Sequence, residues 1–221
     1  MIGPYKLQKM PVTFLTYKRP EYLEKTLTSF FELNASISDL FVPMILVQDA
    51  DEVTEEVVSK FPFEKIIRIK NIGCSRGYAE IMAKTYDFPY SIHIQDDWES
   101  RESLAPYIDN LVEGLNTCGY IRLRARKERV NNKNRLTRIG IKYRPINEHV
   151  FKSNAHFSLN PMLIRTSVVQ AMIPFVKEKH GMMKYQALQL PAGQLKGNVF
   201  FHIGTERAVT YLTDGRKRWV K

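Results

Sequence analysis

The chain has 221 residues, 44% of them hydrophobic, with 33 Lys and Arg against 23 Asp and Glu and a net charge of +10. That length allows one large α/β domain or two small ones, and the apolar share can build a core, so disorder does not explain the charge. No apolar run approaches the ~20 residues needed to span a bilayer, and the opening MIGPYKLQKMPVTF lacks the pattern of a signal peptide. The two cysteines, Cys74 and Cys118, form no disulfide framework and fit a reducing, cytoplasmic compartment.

Residues 12–16 (V-T-F-L-T) read as a strand that stops at Tyr17-Lys18-Arg19-Pro20. Pro20 suits the first position of a helix, Glu21 and Glu24 favour its positive end, and Leu23, Leu27, Phe30 and Phe31 recur on one face. A second strand, 44–48, ends in Asp49-Ala50-Asp51 and is followed by a helix near residues 54–60. A third, 66–69, leads into Asn71-Ile72-Gly73-Cys74-Ser75-Arg76-Gly77, and the pattern turns helical from Tyr78. A fourth, 90–94, runs into Gln95-Asp96-Asp97-Trp98-Glu99. Strands alternating with helices indicate βαβ units and a mainly parallel sheet.

The back half is less regular. Leu104, Ile108, Leu111 and Leu115 mark a helix. Residues 120–124 alternate, which places Arg122 and Arg124 on a basic, half-exposed face. A helix is expected over Thr166–Val176 and a closing strand over 199–204, which contains His202. Residues 1–221 read as one domain, with 1–100 as its regular half and 101–221 elaborating one edge.

Four strand ends carry polar groups: Thr16 and Arg19, Asp49 and Asp51, Asn71, Gly73 and Arg76, and Asp96 with Asp97. In a parallel sheet these ends meet on one rim, where ligands bind. Adjacent carboxylates repel, and a hard divalent cation that also holds a phosphate is a common reason to keep them together. The plain alternative for the dipeptide alone is a solvated acidic turn.

The series T-Y-K-R-P-E-Y-L, V-Q-D-A-D, N-I-G-C-S-R-G and I-Q-D-D-W-E resembles the front half of a family-2-like GT-A glycosyltransferase. The resemblance implies a GT-A, Rossmann-like α/β fold with helices flanking a mainly parallel sheet and an elaborated C-terminal acceptor side. It implies a nucleoside-diphosphate sugar as donor, handled by residues 1–100, and Mn²⁺ or Mg²⁺ as cofactor. Thr16, Arg19, Asp49, Arg76, Gln95 and Asp96 then match positions beside the nucleotide sugar. Asp97 matches the metal-binding acid of the DXD motif. His202 is either a further metal or diphosphate ligand or a satisfied core histidine. Gln95 departs from the pattern, because an amide is a poor metal ligand.

A base for the acceptor hydroxyl is expected after the acidic turn. Glu178 is the first candidate, with Glu148, His156 and His180 behind it, and a solvated charge is the plain alternative for each. Residues 122–144 hold ten Lys and Arg against one acid, Glu128, and Arg122, Arg124, Arg126, Lys127 and Arg129 open this block. A basic block on the acceptor side points to a polyanion. One such acceptor is DNA bearing hydroxymethylated bases, as virus-type DNA glycosyltransferases use, which would place a viral protein in the host cytoplasm. A cell-surface glycan or lipid-linked sugar is the competing acceptor. A non-catalytic nucleic-acid-binding protein on the same scaffold is the reading from another class.

Overall fold

The computed structural model describes residues 8–123, 129–130, 136–137, 143–153, 159–176, 191–197, 199–204, 209–211 and 217–219. Strand β1 (Met10–Tyr17) is buried along nearly its whole length and β2 (Phe41–Gln48) along all of it. Both are continuous apolar runs, as expected of parallel strands covered on two faces. Between them lies α1 (Pro20–Leu33), with Pro20 in its first turn, where a missing N–H loses no helical bond. Leu23, Leu27 and Phe30 form its buried face. Helix α2 (Glu52–Ser59) starts at a real cap: the Asp51 carboxylate accepts from the Thr54 N–H at 2.8 Å.

Strand β3 (Lys65–Ile69) is the exposed edge of the sheet. Helix α3 (Cys74–Met82) begins four residues before Tyr78, the start expected from the apolar pattern. Gly73, at φ 86°, turns the chain into it, and the small and polar residues of its first turn carry no apolar period to betray it. Arg76 is therefore helical.

Next come β4 (Tyr90–Gln95), β5 (Trp98–Ser100), α4 (Ile108–Gly114) and β6 (Tyr120–Arg122). The pairs β7 (Arg129–Val130) with β8 (Leu136–Thr137) and β14 (Val209–Tyr211) with β15 (Lys217–Trp219) are small separate hairpins. The other elements are β9 (Tyr143–Pro145), β10 (Val150–Ser153), β11 (Met162–Arg165), α5 (Thr166–Val176), β12 (Ala192–Leu195) and β13 (Phe200–His202).

The main sheet runs β3-β2-β1-β4-β11-β6-β12-β10-β9. Among its strands all but β11 and β10 point the same way. Helices α1, α2 and α4 cover one face, whereas α3 and α5 cover the other. The order reverses between β1 and β4, the kind of switch point at which α/β sheets open a crevice for ligands. Among the described residues no helix is long and apolar enough to cross a membrane.

Strand β6 corrects the expectation of a basic, half-exposed face. Tyr120, Ile121 and Arg122 are all buried, because β6 lies between β11 and β12 with both faces covered. Alternation separates two faces but does not say that the polar one is wet. Arg122 is 1% exposed and its Nη2 donates to Ser153 Oγ at 3.4 Å, so it offers no surface to an acceptor. Arg124, Arg126, Lys127, His156, Glu178 and His180 lie outside the described residues, and Arg129 begins β7.

Candidate functional site

The acidic turn sits in the β1/β4 crevice. The Asp96 N–H bonds to the Leu15 carbonyl at 3.2 Å, continuing the parallel ladder one residue past β4. The Asp96 side chain points into the protein, 2% exposed, and its Oδ2 accepts from Thr16 Oγ1 at 2.9 Å and from the Tyr17 N–H at 3.3 Å. Its Oδ1 lies 3.1 Å from Arg19 Nη2. Burial pushes the Asp96 carboxyl up to about 6, against the opposing pull of Arg19. Thr16, itself buried, thus lies beneath Asp96 as a donor to it.

Asp97 is held from three directions. Arg19 Nη1 donates to its Oδ2 at 2.9 Å, and His202 Nε2 lies 3.2 Å from the same oxygen. The Ile203 N–H bonds to its backbone carbonyl at 2.9 Å. The His202–Asp97 contact spans 105 residues and exists because β13 pairs with β5, setting His202 opposite Trp98. The His202 ring also meets the Trp98 ring edge-on, with centroids 5.0 Å apart. Asp97 is 8% exposed and its buried Oδ1 has no hydrogen-bond partner among the described residues. Burial lowers Arg19, but Asp96 and Asp97 more than offset this, leaving its pKa above the ordinary value.

The neighbouring strand ends form one connected rim. Asp49, in the left-handed region at φ 45°, accepts from the Asn71 N–H through Oδ1 at 3.0 Å. Gln48 Oε1 accepts from the Ile72 N–H at 2.9 Å, and Asn71 Oδ1 from the Gly73 N–H at 2.8 Å. Among the described residues Lys18, at φ 48°, is the other non-glycine residue in that region. Two such residues at two strand ends are the local strain expected of a binding rim. Gln95 Nε2 donates to Cys74 Sγ at 3.2 Å, tying the acidic turn to the start of α3. Arg76 is exposed on the first turn of that helix, where the backbone N–H groups also favour an anion.

The structure therefore gathers Arg19, Asp96, Asp97 and His202, with Thr16 below them and Gln95 beside them. Sequence reading missed that Arg19 bridges both acids, that Gln95 meets Cys74, and that Gly204 packs on Asp97. None of these contacts has a local pattern, because each joins distant strand ends. A cavity of about 390 Å³ lies at the other end of the strands, away from the acidic turn, lined by Lys9, Phe30, Asn34, Asp39, Phe41 and Glu64 among others.

No family model and no curated protein matches the sequence. Solved structures do match in fold. The mannosyltransferase PcManGT from Pyrobaculum calidifontis, in complex with GDP-Man and Mn²⁺, superposes with a TM-score of 0.61 at 11% identity, over 93% of this chain and 59% of its own. Residues 1–349 of TarS from S. aureus, in complex with UDP-GlcNAc, give a TM-score of 0.61 at 10% identity, over 91% of this chain and 62% of its own. The 4-diphosphocytidyl-2C-methyl-D-erythritol synthase from Anaerococcus prevotii gives 0.52 at 7% identity, over 90% and 92%. The chain thus spans about 60% of the length of PcManGT and of the TarS 1–349 chain. With its parallel front strands, β1/β4 switch point and helices on both faces, the chain has the Rossmann-like α/β fold of GT-A glycosyltransferases.

Proposed function

We propose that this protein is a glycosyltransferase that moves a sugar from a nucleoside diphosphate to an acceptor hydroxyl with the help of a divalent cation. The observation that carries the reading is the meeting of Asp97 and His202 at 3.2 Å, on the rim of the switch point. The residues fit such an ion. Asp97 turns one carboxylate oxygen, Oδ2, to Nε2 of His202, which is half exposed beside it, and keeps the other, Oδ1, buried with no partner among the described residues. No group of three His, Cys, Asp or Glu side chains suited to a metal occurs among the described residues. Two protein ligands suit an ion that completes its shell with water and phosphate, and an imidazole among them favours Mn²⁺ over Mg²⁺.

When bound, the ion would neutralise charge developing on the departing diphosphate. The rest falls to the chain's own groups. Asp96, fixed by Thr16 and the Tyr17 N–H, keeps the acidic turn seated. Arg76 and the first turn of α3 attract the diphosphate. Asp49 stands at the end of β2 as an acceptor for the base or ribose. Glu178 is our candidate base for the acceptor hydroxyl.

For the acceptor we favour a polyanion, with hydroxymethylated bases in DNA as the form to test first. The support is the net charge of +10 and the cations Arg144 and Lys152, both exposed and directly opposed across β9 and β10. Like charges placed opposite one another destabilise a sheet, so an anionic partner gives them a use.

The test is release of nucleoside diphosphate from UDP- and GDP-sugars with Mn²⁺, for the wild type, Asp97→Ala and His202→Ala, with products identified by mass. Both variants should fold, and both should lose Mn²⁺-dependent turnover. Turnover that survives Asp97→Ala would overturn the reading. So would pyrophosphate release from a nucleoside triphosphate and a sugar phosphate, the reaction of a nucleotidyltransferase. For the acceptor, binding to duplex DNA should weaken steeply with salt, and salt-insensitive binding would favour a neutral glycan.

A further inference from the structure

Two adjacent carboxylates, Asp96 at 2% and Asp97 at 8% exposure, need a positive charge whether or not substrate is bound. Arg19 supplies it with both arms of its guanidinium. Nη2 lies 3.1 Å from Asp96 Oδ1 and Nη1 2.9 Å from Asp97 Oδ2. A rigid fork suits this bridging, which one ammonium group cannot reproduce.

The two ends of the bridge are not equivalent. Asp96 is also held by Thr16 and the Tyr17 N–H, so its end is fixed. At the other end Arg19 donates to the very oxygen that faces His202 Nε2. An N–H directed at that oxygen occupies a lone pair a cation would use, and its charge repels the cation at contact distance.

We propose that Arg19 is a built-in counter-cation that guards Asp97 and yields it only when a divalent ion arrives together with a diphosphate. This rests on the reading of Asp97 and His202 as metal ligands. Released from Asp97, Nη1 finds a phosphate oxygen as its new charge-assisted partner. Arg19 thereby couples the two ligands: the ion binds weakly to the free protein, and each ligand strengthens the other by the same factor.

The experiment is direct titration of Mn²⁺, read from the free-ion electron paramagnetic resonance signal, without and with UDP or GDP. Wild type, Arg19→Gln, Arg19→Lys and Asp97→Asn are compared, with circular dichroism to check folding. Without nucleotide, Arg19→Gln should bind Mn²⁺ about tenfold more tightly than wild type, a change on the scale of removing one adjacent charge. Its further gain on adding nucleoside diphosphate should shrink. Arg19→Lys should tighten Mn²⁺ binding by a smaller factor, which keeps the test decisive if Arg19→Gln fails to fold. A merely structural role predicts the opposite sign, so unchanged or weaker Mn²⁺ binding in a folded Arg19 variant, with binding lost in Asp97→Asn, overturns the proposal alone. Mn²⁺ binding that survives Asp97→Asn overturns the metal reading and this proposal with it.

Discussion

At the scale of single residues, the site depends on how closely the chain after β13 approaches the acidic turn. The Ile203 N–H reaches the Asp97 carbonyl at 2.9 Å, and a Cβ on Gly204 would stand 2.8 Å from Asp97 Oδ2 and 3.0 Å from its Cβ. Real Cβ contacts are not that short, so Gly204→Ala must displace either Asp97 or the end of β13. Because small displacements of a positioned group are costly, Mn²⁺ affinity should fall roughly tenfold or more while the protein stays folded. Unchanged Mn²⁺ binding would show that the loop gives way without disturbing Asp97. Asp97 itself was legible in the sequence, as a carboxylate ending an apolar run. Gly204 was not, because a close approach leaves no trace in one sequence. Arg122 misled for a related reason, since an arginine in an alternating strand looks the same on a wet face as on a covered one.

At the scale of elements, α1 anchors the acidic turn through Thr26, which is fully buried. Its hydroxyl donates to the Asp96 carbonyl at 2.9 Å and accepts from the Trp98 N–H at 3.2 Å. Thr26→Val keeps the shape and leaves both backbone groups unsatisfied, so it should destabilise the fold by about 1–3 kcal/mol in denaturant melts. Thr26→Ser, which keeps the hydroxyl, should recover most of that loss; equal destabilisation by both variants would refute the role. The helix was readable from Pro20 and the 23, 27, 30 spacing, but not its duty as the clasp of the turn. Helix α3 was readable only from Tyr78, where its apolar face begins. Strand β12 is Ala-Gly-Gln-Leu, with no strand signature, yet all four residues are buried between β6 and β10. Its conformation comes from neighbours rather than propensity.

At the scale of the molecule, stability should respond to pH through His93 in the middle of the sheet. His93 is 0% exposed, with Nδ1 3.0 Å from Thr13 Oγ1 and its ring edge-on to Tyr78 of α3 at 4.7 Å. Burial pushes its pKa down to about 3, so the native state stays neutral where the unfolded chain takes up a proton. Stability from this group is complete above the unfolded pKa near 6.5 and is lost as pH falls toward 3. Asp96 acts in the opposite sense, since its raised pKa favours the native state at low pH and that stabilisation fades as pH rises through about 6. The two cancel over part of the range, so the measurement is the difference between wild type and His93→Gln. That difference should shrink by about 1.4 kcal/mol per pH unit between pH 6 and 4 in denaturant melts. A constant offset would show that His93 does not titrate on unfolding.

By itself the sequence determined the four apolar runs of the front half, the helices between them, the polar groups at each strand's end and the surplus of positive charge. Those features are local: hydrophobic period, proline and cap positions act over a few residues, so they can be read from a few residues. Only the tertiary structure decided that β1 and β4 are neighbours, that β13 lays His202 against Asp97, that Arg19 spans both acids, and that Arg122 is sealed inside. Each of these follows from which strand lies beside which across up to 105 residues. That order is set by burying both faces of the whole sheet at once, a condition no short stretch of chain contains.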